Sequence, residues 1–239
     1  DRCENNLNDF ERLLQDSVNL RMRSDVPYGA YLSGGVDSSL IVKYMSKDGN
    51  KHNTYTAEIN DDALNEKKYA DEVSMKYDTN HKNIKVEYED IKLNFLKKLV
   101  RIFGQPFADS SIIPTYLISK EISENVTVAL GGDGSDEVFC GYDKYDYVDE
   151  DIPTKFFRNN DLNFLNDTYK KNIYEYMKSK LPYDVTDEQE TLRLMHIRFF
   201  LEGDILQKID RLSMSNSLEV RVPFLDHRIL EYSNKLDYD

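Results

Sequence analysis

The sequence predicts an α/β fold: an open, mostly parallel sheet with helices on both faces, followed by a C-terminal helical extension. Three observations predict it. Short apolar runs alternate with helix-length amphipathic stretches as far as Leu130. Glycine-rich turns follow two of those runs directly. Past about Tyr147 the strand-like runs stop and helical periodicity takes over.

Taken in order, Leu7, Phe10, Leu13, Leu14, Val18 and Leu20 recur at a helical period between Leu7 and Arg23. Pro27 breaks that pattern, and Tyr28 to Leu32 reads as a short buried strand. Ser33-Gly34-Gly35 is a tight turn into a helix over Ser38 to Met45, which Gly49-Asn50 ends. Thr54 to Ile59 is a second strand, Leu64 to Tyr77 a helix, His81 to Val86 a third strand and Ile91 to Phe103 a helix. Pro114 to Ser123 is another helix and Val126 to Leu130 a fourth strand, apolar enough to be covered on both faces. Beyond the acidic stretch Asp149-Glu150-Asp151, helices are expected over Leu162–Lys180, Asp187–Leu201, Ile205–Ser217 and Asp226–Lys235. No internal repeat or low-complexity tract interrupts this order.

Composition narrows the functional classes. The 239 residues carry a formal net charge of -13. Such a body repels phosphate backbones and anionic headgroups, so neither nucleic acid nor a membrane surface is expected as a partner. The cysteines, Cys3 and Cys140, are too few for a disulfide framework. With no apolar run of membrane-spanning length and a polar start, the expected compartment is cytoplasmic. The chain does not begin with Met, which suggests a piece of a longer protein.

Two turns carry the chemistry. Tyr31-Leu32-Ser33-Gly34-Gly35-Val36-Asp37-Ser38-Ser39 joins the first strand to the following helix. In a parallel sheet that turn opens onto the crevice at the strands' carboxyl ends. Its glycines let backbone amides approach an anion, and the helix adds the positive end of its dipole. The Lys of a Walker loop is absent. A carboxylate, Asp37, stands among phosphate ligands, which points to a bridging Mg²⁺. At the end of the fourth strand, Gly131 to Glu137 crowds Asp133, Asp136 and Glu137 into five positions. Such a cluster is costly to hold without a cation or positive substrate.

These residues resemble a known family. Ser33-Gly34-Gly35-Val36-Asp37-Ser38 is similar to the pyrophosphate loop of N-type ATP pyrophosphatases, and Gly131 to Tyr142 resembles the acidic glycine motif of asparagine synthetases. Pro106 to Tyr116, and Ser213-Met214 with Ser217 to Asp226, resemble two further segments of that family. The resemblance implies a HUP-like core of the adenine nucleotide α-hydrolase type over residues 1–147, with 148–239 as a mainly helical part of the same synthetase domain. It implies that Tyr31, Leu32, Ser33, Gly34, Gly35, Asp37, Ser38, Ala57, Gly131 and Gly132 bind ATP. Asp37 and Asp136 would hold Mg²⁺. Asp133 would orient or deprotonate the incoming amine, and Glu137 is counted with it as catalytic.

The implied reaction adenylates a carboxylate, that of aspartate, releases pyrophosphate, and lets ammonia displace AMP. The ammonia would come from a glutaminase domain or subunit outside this chain, and a homodimer is left open. The sequence departs from the family in having Gly131 where Ser is usual. No match is found to the lysine-bearing segment that contacts pyrophosphate, which is expected further along a full-length polypeptide. Other readings are a relative activating a different acid, a tRNA-modifying adenylating enzyme, and a non-catalytic nucleotide-binding module. The four histidines lack metal-ligand spacing, and Lys208, Asp210, Arg211 and Arg221 read as framework.

Overall fold

A computed structural model describes residues 7–59, 66–86, 91–142, 166–183 and 185–236. The chain forms two compact units. The first comprises Asp1–Asp133 together with Leu206–Asp239, and the second Gly134–Ile205. The boundary expected between 147 and 148 falls among residues outside those described.

The first unit is built on a five-stranded sheet in the order β3-β2-β1-β4-β5. Its strands are β1 (Tyr28–Tyr31), β2 (Asn53–Ile59), β3 (Asn80–Val86), β4 (Val128–Leu130) and β5 (Glu219–Arg221), and every pairing is parallel. The four expected strands are present within a residue or two of their expected ends. β5 was not expected. The amide of Glu219 donates to Thr127 O at 2.9 Å, and this bond docks the segment onto β4.

Among the described residues five α-helices precede β4 in chain order: α1 (Leu7–Arg21), α2 (Val36–Met45), α3 (Lys67–Lys76), α4 (Leu93–Phe103) and α5 (Ile112–Ser123). α1 buries Leu14 and Val18, four apart on one face, and carries Asp9 in its first turn and Arg21 in its last, matching its dipole. α4 stops at Gly104, whose left-handed φ of 75° closes the last turn. Thr54, Tyr55 and Thr56 are all buried, because the sheet is covered on both sides. One cluster packs Tyr55, Ile84 and Ala129 of the sheet against Ile118 and Ile122 of α5.

In the second unit a short helix α6 (Ser135–Phe139) is followed by α7 (Asp167–Lys178) and α8 (Glu188–Met195), and α8 runs into a π-helical stretch, His196–Ile205. Asn166 and Asp187 cap α7 and α8 through their side chains. Tyr174, Leu192 and Met195 form its core. The first unit resumes with α9 (Leu206–Met214) and, after β5, ends in α10 (His227–Ser233). No helix among the described residues is long and apolar enough to cross a membrane.

Candidate functional site

In a parallel sheet of this order, the crevice lies where the strand sequence reverses, between β1 and β4. The first turn leaves β1 there. Leu32 continues the β1 ladder, its amide donating to Tyr55 O at 2.8 Å and its carbonyl accepting from the Thr56 hydroxyl. The loop then folds on itself. Ser33 Oγ and Ser38 Oγ lie 2.9 Å apart, and the Ser33 and Gly35 amides donate to Ser38 Oγ and Ser33 Oγ, each at 3.2 Å. Gly34 has a left-handed φ of 87°, and a Cβ there would stand 2.5 Å from backbone atoms of Tyr69 and Ala70 on α3. Glycine is required on both counts.

Gly35 caps α2 without any side-chain hydrogen bond, so the leading amides of that helix are left for an anion. Asp37 is half-buried in its first turn. Tyr31 turns its ring away from the loop, into the α5 cluster, with its hydroxyl 2.9 Å from Ser119 Oγ. Burial raises this phenol above its usual range. Ala57 of β2 packs against the same cluster. Side chains at 31 and 57 therefore serve packing.

The second turn leaves β4 beside the first. The Gly131 amide donates to Arg221 O at 2.9 Å. A Cβ at Gly132 would stand 3.1 Å from Asp37 Cβ and 3.2 Å from the Ser38 amide nitrogen. The two glycine-bearing motifs, about a hundred positions apart in sequence, thus touch at the head of α2. Asp133 folds back over Gly131: a Cβ at 131 would meet Asp133 Oδ2 at 2.6 Å. The absence of a side chain at 131 gives the carboxylate that room. Burial pushes the Asp133 carboxyl up, while its own backbone amide and the positive charge of Lys208 pull it back.

Asp136 and Glu137 lie on α6, in the second unit. Asp136 is half-buried, and a Cβ on Gly141 would meet its Oδ1 at 2.2 Å and its Cα at 3.2 Å, so a side chain there would displace the carboxylate. Glu137 is only 1% exposed and accepts a hydrogen bond from the Tyr142 hydroxyl. Arg193, fully buried, binds Glu190 at 2.7 and 2.8 Å. Cys140 holds a left-handed φ of 57°, and burial pushes its thiol up to about 12, so it is a poor nucleophile. Cys3 lies outside the described residues.

The late motif is framework. Arg221 Nη1 donates to the carbonyls of Arg21 and Arg23, each at 2.8 Å, and Nε to Glu219 at 2.6 Å. Asp226 caps α10 and pairs with Arg21 at 3.0 Å and with Arg228 at 2.9 Å. The Ser17 hydroxyl donates to Pro223 O at 2.7 Å. These bonds tie α1 to the chain after β5. Lys208, read from sequence as framework, pairs with Asp109 in front of α5. No signal in the sequence joined two residues so far apart.

Mg²⁺ fits part of this donor set. Among the described residues no three His, Cys, Asp or Glu side chains gather into a metal site. Mg²⁺ on a nucleotide needs less than that, because it is bound through one or two carboxylates with phosphate and water oxygens completing its shell. Asp37, a hard oxygen donor beside open helix amides, suits that arrangement.

Residues 9–239 match the family model described as asparagine synthase. The chain is 31% identical to asparagine synthetase [glutamine-hydrolyzing] 1 of Bacillus subtilis, over 93% of this chain and 42% of that protein. It is 29% identical to a putative asparagine synthetase [glutamine-hydrolyzing] of Mycobacterium tuberculosis, over 94% of this chain and 41% of that protein. With putative asparagine synthetase [glutamine-hydrolyzing] 2 of Methanocaldococcus jannaschii identity is 40%, over 55% of this chain and 26% of that protein. The chain thus spans 42% and 41% of the length of the first two of these relatives.

Proposed function

The chain belongs to the asparagine synthase family, and from that premise we propose that it is the ATP-using part of an amide-forming ligase. The substrate carboxylate, that of aspartate, attacks the α-phosphorus of ATP and expels pyrophosphate. Ammonia then displaces AMP from the acyl-adenylate. The observation that carries this reading is the contact of Gly132 with Asp37 and Ser38, which joins an anion-binding turn to an acidic one at the sheet's reversal point.

The chain's own groups have distinct tasks. The open amides of α2 and the hydroxyls of Ser33 and Ser38 hold the β- and γ-phosphates in line for displacement. Backbone of Tyr31, Leu32, Ala57, Gly131 and Gly132 borders the nucleoside. Asp37 is the carboxylate of the first unit that would hold Mg²⁺, which would supply charge neutralisation on the leaving pyrophosphate. Asp133, with its carboxyl raised by burial, takes a proton from the attacking amine. Within the second unit, Glu137 fixes Tyr142 and the turn that holds Asp136. The ammonia comes from a glutaminase domain or subunit, in keeping with the glutamine-hydrolyzing synthetases to which the chain is similar.

Isotope exchange tests this directly. With L-aspartate and Mg²⁺, labelled pyrophosphate should enter ATP, and added ammonia should yield asparagine and AMP. The ATP affinity of Asp37→Ala should lose its dependence on Mg²⁺. No AMP from aspartate under any ammonia supply would end this reading, and AMP from a different acid would move it to a sibling activity.

A further inference from the structure

Lys208 sits in the first turn of α9, and its ammonium pairs with Asp109 Oδ2 across 99 positions of sequence. Both side chains are largely withdrawn from water, at 12% and 20% exposure. Asp109 is fixed independently, because its Oδ1 accepts the Ser111 amide at 2.8 Å in front of α5. Burial works to raise this carboxyl, but Lys208 and Ser111 outweigh it and hold it below the usual range. An ammonium has three N–H donors. Asp109 is the single partner of Lys208 among the described residues, so two donors of a mostly buried cation are uncommitted. Leaving such donors unmet is costly unless a ligand meets them. Nearby, the Ser111 hydroxyl is buried beside the same carboxylate.

Topology says where those donors are. α5 leads into β4 and α9 leads into β5, both strands being parallel to β1. A helix that returns to the start of a parallel strand begins at the sheet's carboxyl edge. The first turn of α5 therefore stands at the edge where Gly131 to Asp133 emerges, and the ion pair with Asp109 brings Lys208 of α9 to it. The field of Lys208 at Asp133 agrees with that placement.

We propose that Lys208 is the specificity-determining cation for the acid substrate, receiving the carboxylate that is not activated while Asp109 and Ser111 hold it in place. The inference rests on the ligase reading above. It makes a monocarboxylate a poor substrate, since the only carboxylate it has must react.

The test compares L-aspartate with β-alanine, which keeps the amine and the reacting carboxylate but lacks the second one. In the intact protein, Lys208→Met should raise KM for aspartate about ten- to hundredfold, the loss expected for a charge-assisted hydrogen bond. KM for ATP should stay within about twofold, preference for aspartate over β-alanine should collapse, and Lys208→Arg should restore part of it. In wild-type protein, aspartate but not β-alanine should protect Lys208 from acetylation, read by mass spectrometry, so a variant that fails to fold does not remove the test. An unchanged aspartate KM, preserved discrimination, or equal protection by both ligands overturns the proposal. Absence of pyrophosphate exchange in the wild type would instead overturn the ligase reading itself.

Discussion

Replacing Gly34 by alanine separates a structural requirement from a flexible turn. The residue has φ of 87°, and left-handed backbone costs an L-residue about 1–2 kcal/mol. Its new Cβ would stand 2.5 Å from the Ala70 nitrogen and the Tyr69 carbonyl carbon, which are backbone of α3 and cannot rotate away. Overpacking of this kind adds about 1–3 kcal/mol. Together these predict a loss of about 2–5 kcal/mol, a fall in Tm of roughly 4–20 °C for a domain of this size. Because the loop must move to escape α3, ATP affinity should fall at least about tenfold as well. Gly35→Ala is the control. Its φ is -64° and its added carbon would meet only Ser33 Oγ, at 3.3 Å, so a change within about 1 kcal/mol is expected. Thermal unfolding and titration with ATP check both variants. If Gly34→Ala melts within about 2 °C of wild type and keeps its ATP affinity, the argument that α3 locks the loop is wrong.

Two further variants test the framework and the base. Asp226→Ala leaves Arg21 and Arg228 without their shared carboxylate and uncaps α10, and should cost about 2–4 kcal/mol by chemical denaturation. The Asp226 carboxyl lies below its usual range because Arg228 and Arg21 bind it, so its contribution is complete above about pH 4 and is lost as pH falls towards the folded value. Asp226→Asn should flatten that acid limb. Asp133→Asn should leave pyrophosphate exchange within a few-fold of wild type and slow amide formation by about 10²–10⁴. Since burial raises the Asp133 carboxyl, the wild-type rate should fall on acidification at a pH above the ordinary carboxylate range.

Much of this was legible because local chemistry and fold agree. Strand, glycine turn and helix at Tyr28 to Met45 announce themselves by period and by Gly34-Gly35, and β2, β3 and β4 by apolar runs. What the sequence hid depends on partners distant in the chain. β5 has three residues, too few for any periodicity, and exists because Thr127 and Leu130 offer it a ladder. α8 was expected to continue to Leu201, but the backbone changes to π-helical after Met195 with no proline or glycine to announce it. Gly132 could be read as a turn residue but not as the residue that lets two motifs touch, since that reason belongs to Asp37. The partner of Lys208 was hidden because Asp109 is 99 positions away.

The sheet unit is discontinuous: its last strand is made only after all of Gly134–Ile205 has been synthesised. Until residues 219 to 221 leave the ribosome, the outer side of β4 is a bare row of amides and carbonyls, open to pairing with another nascent chain. The bonds from Arg221 and Asp226 back to Arg21 close the ring last. Translation that pauses inside the intervening segment would therefore hold the protein in its most aggregation-prone form, and C-terminal truncations that remove β5 should be found in inclusion bodies.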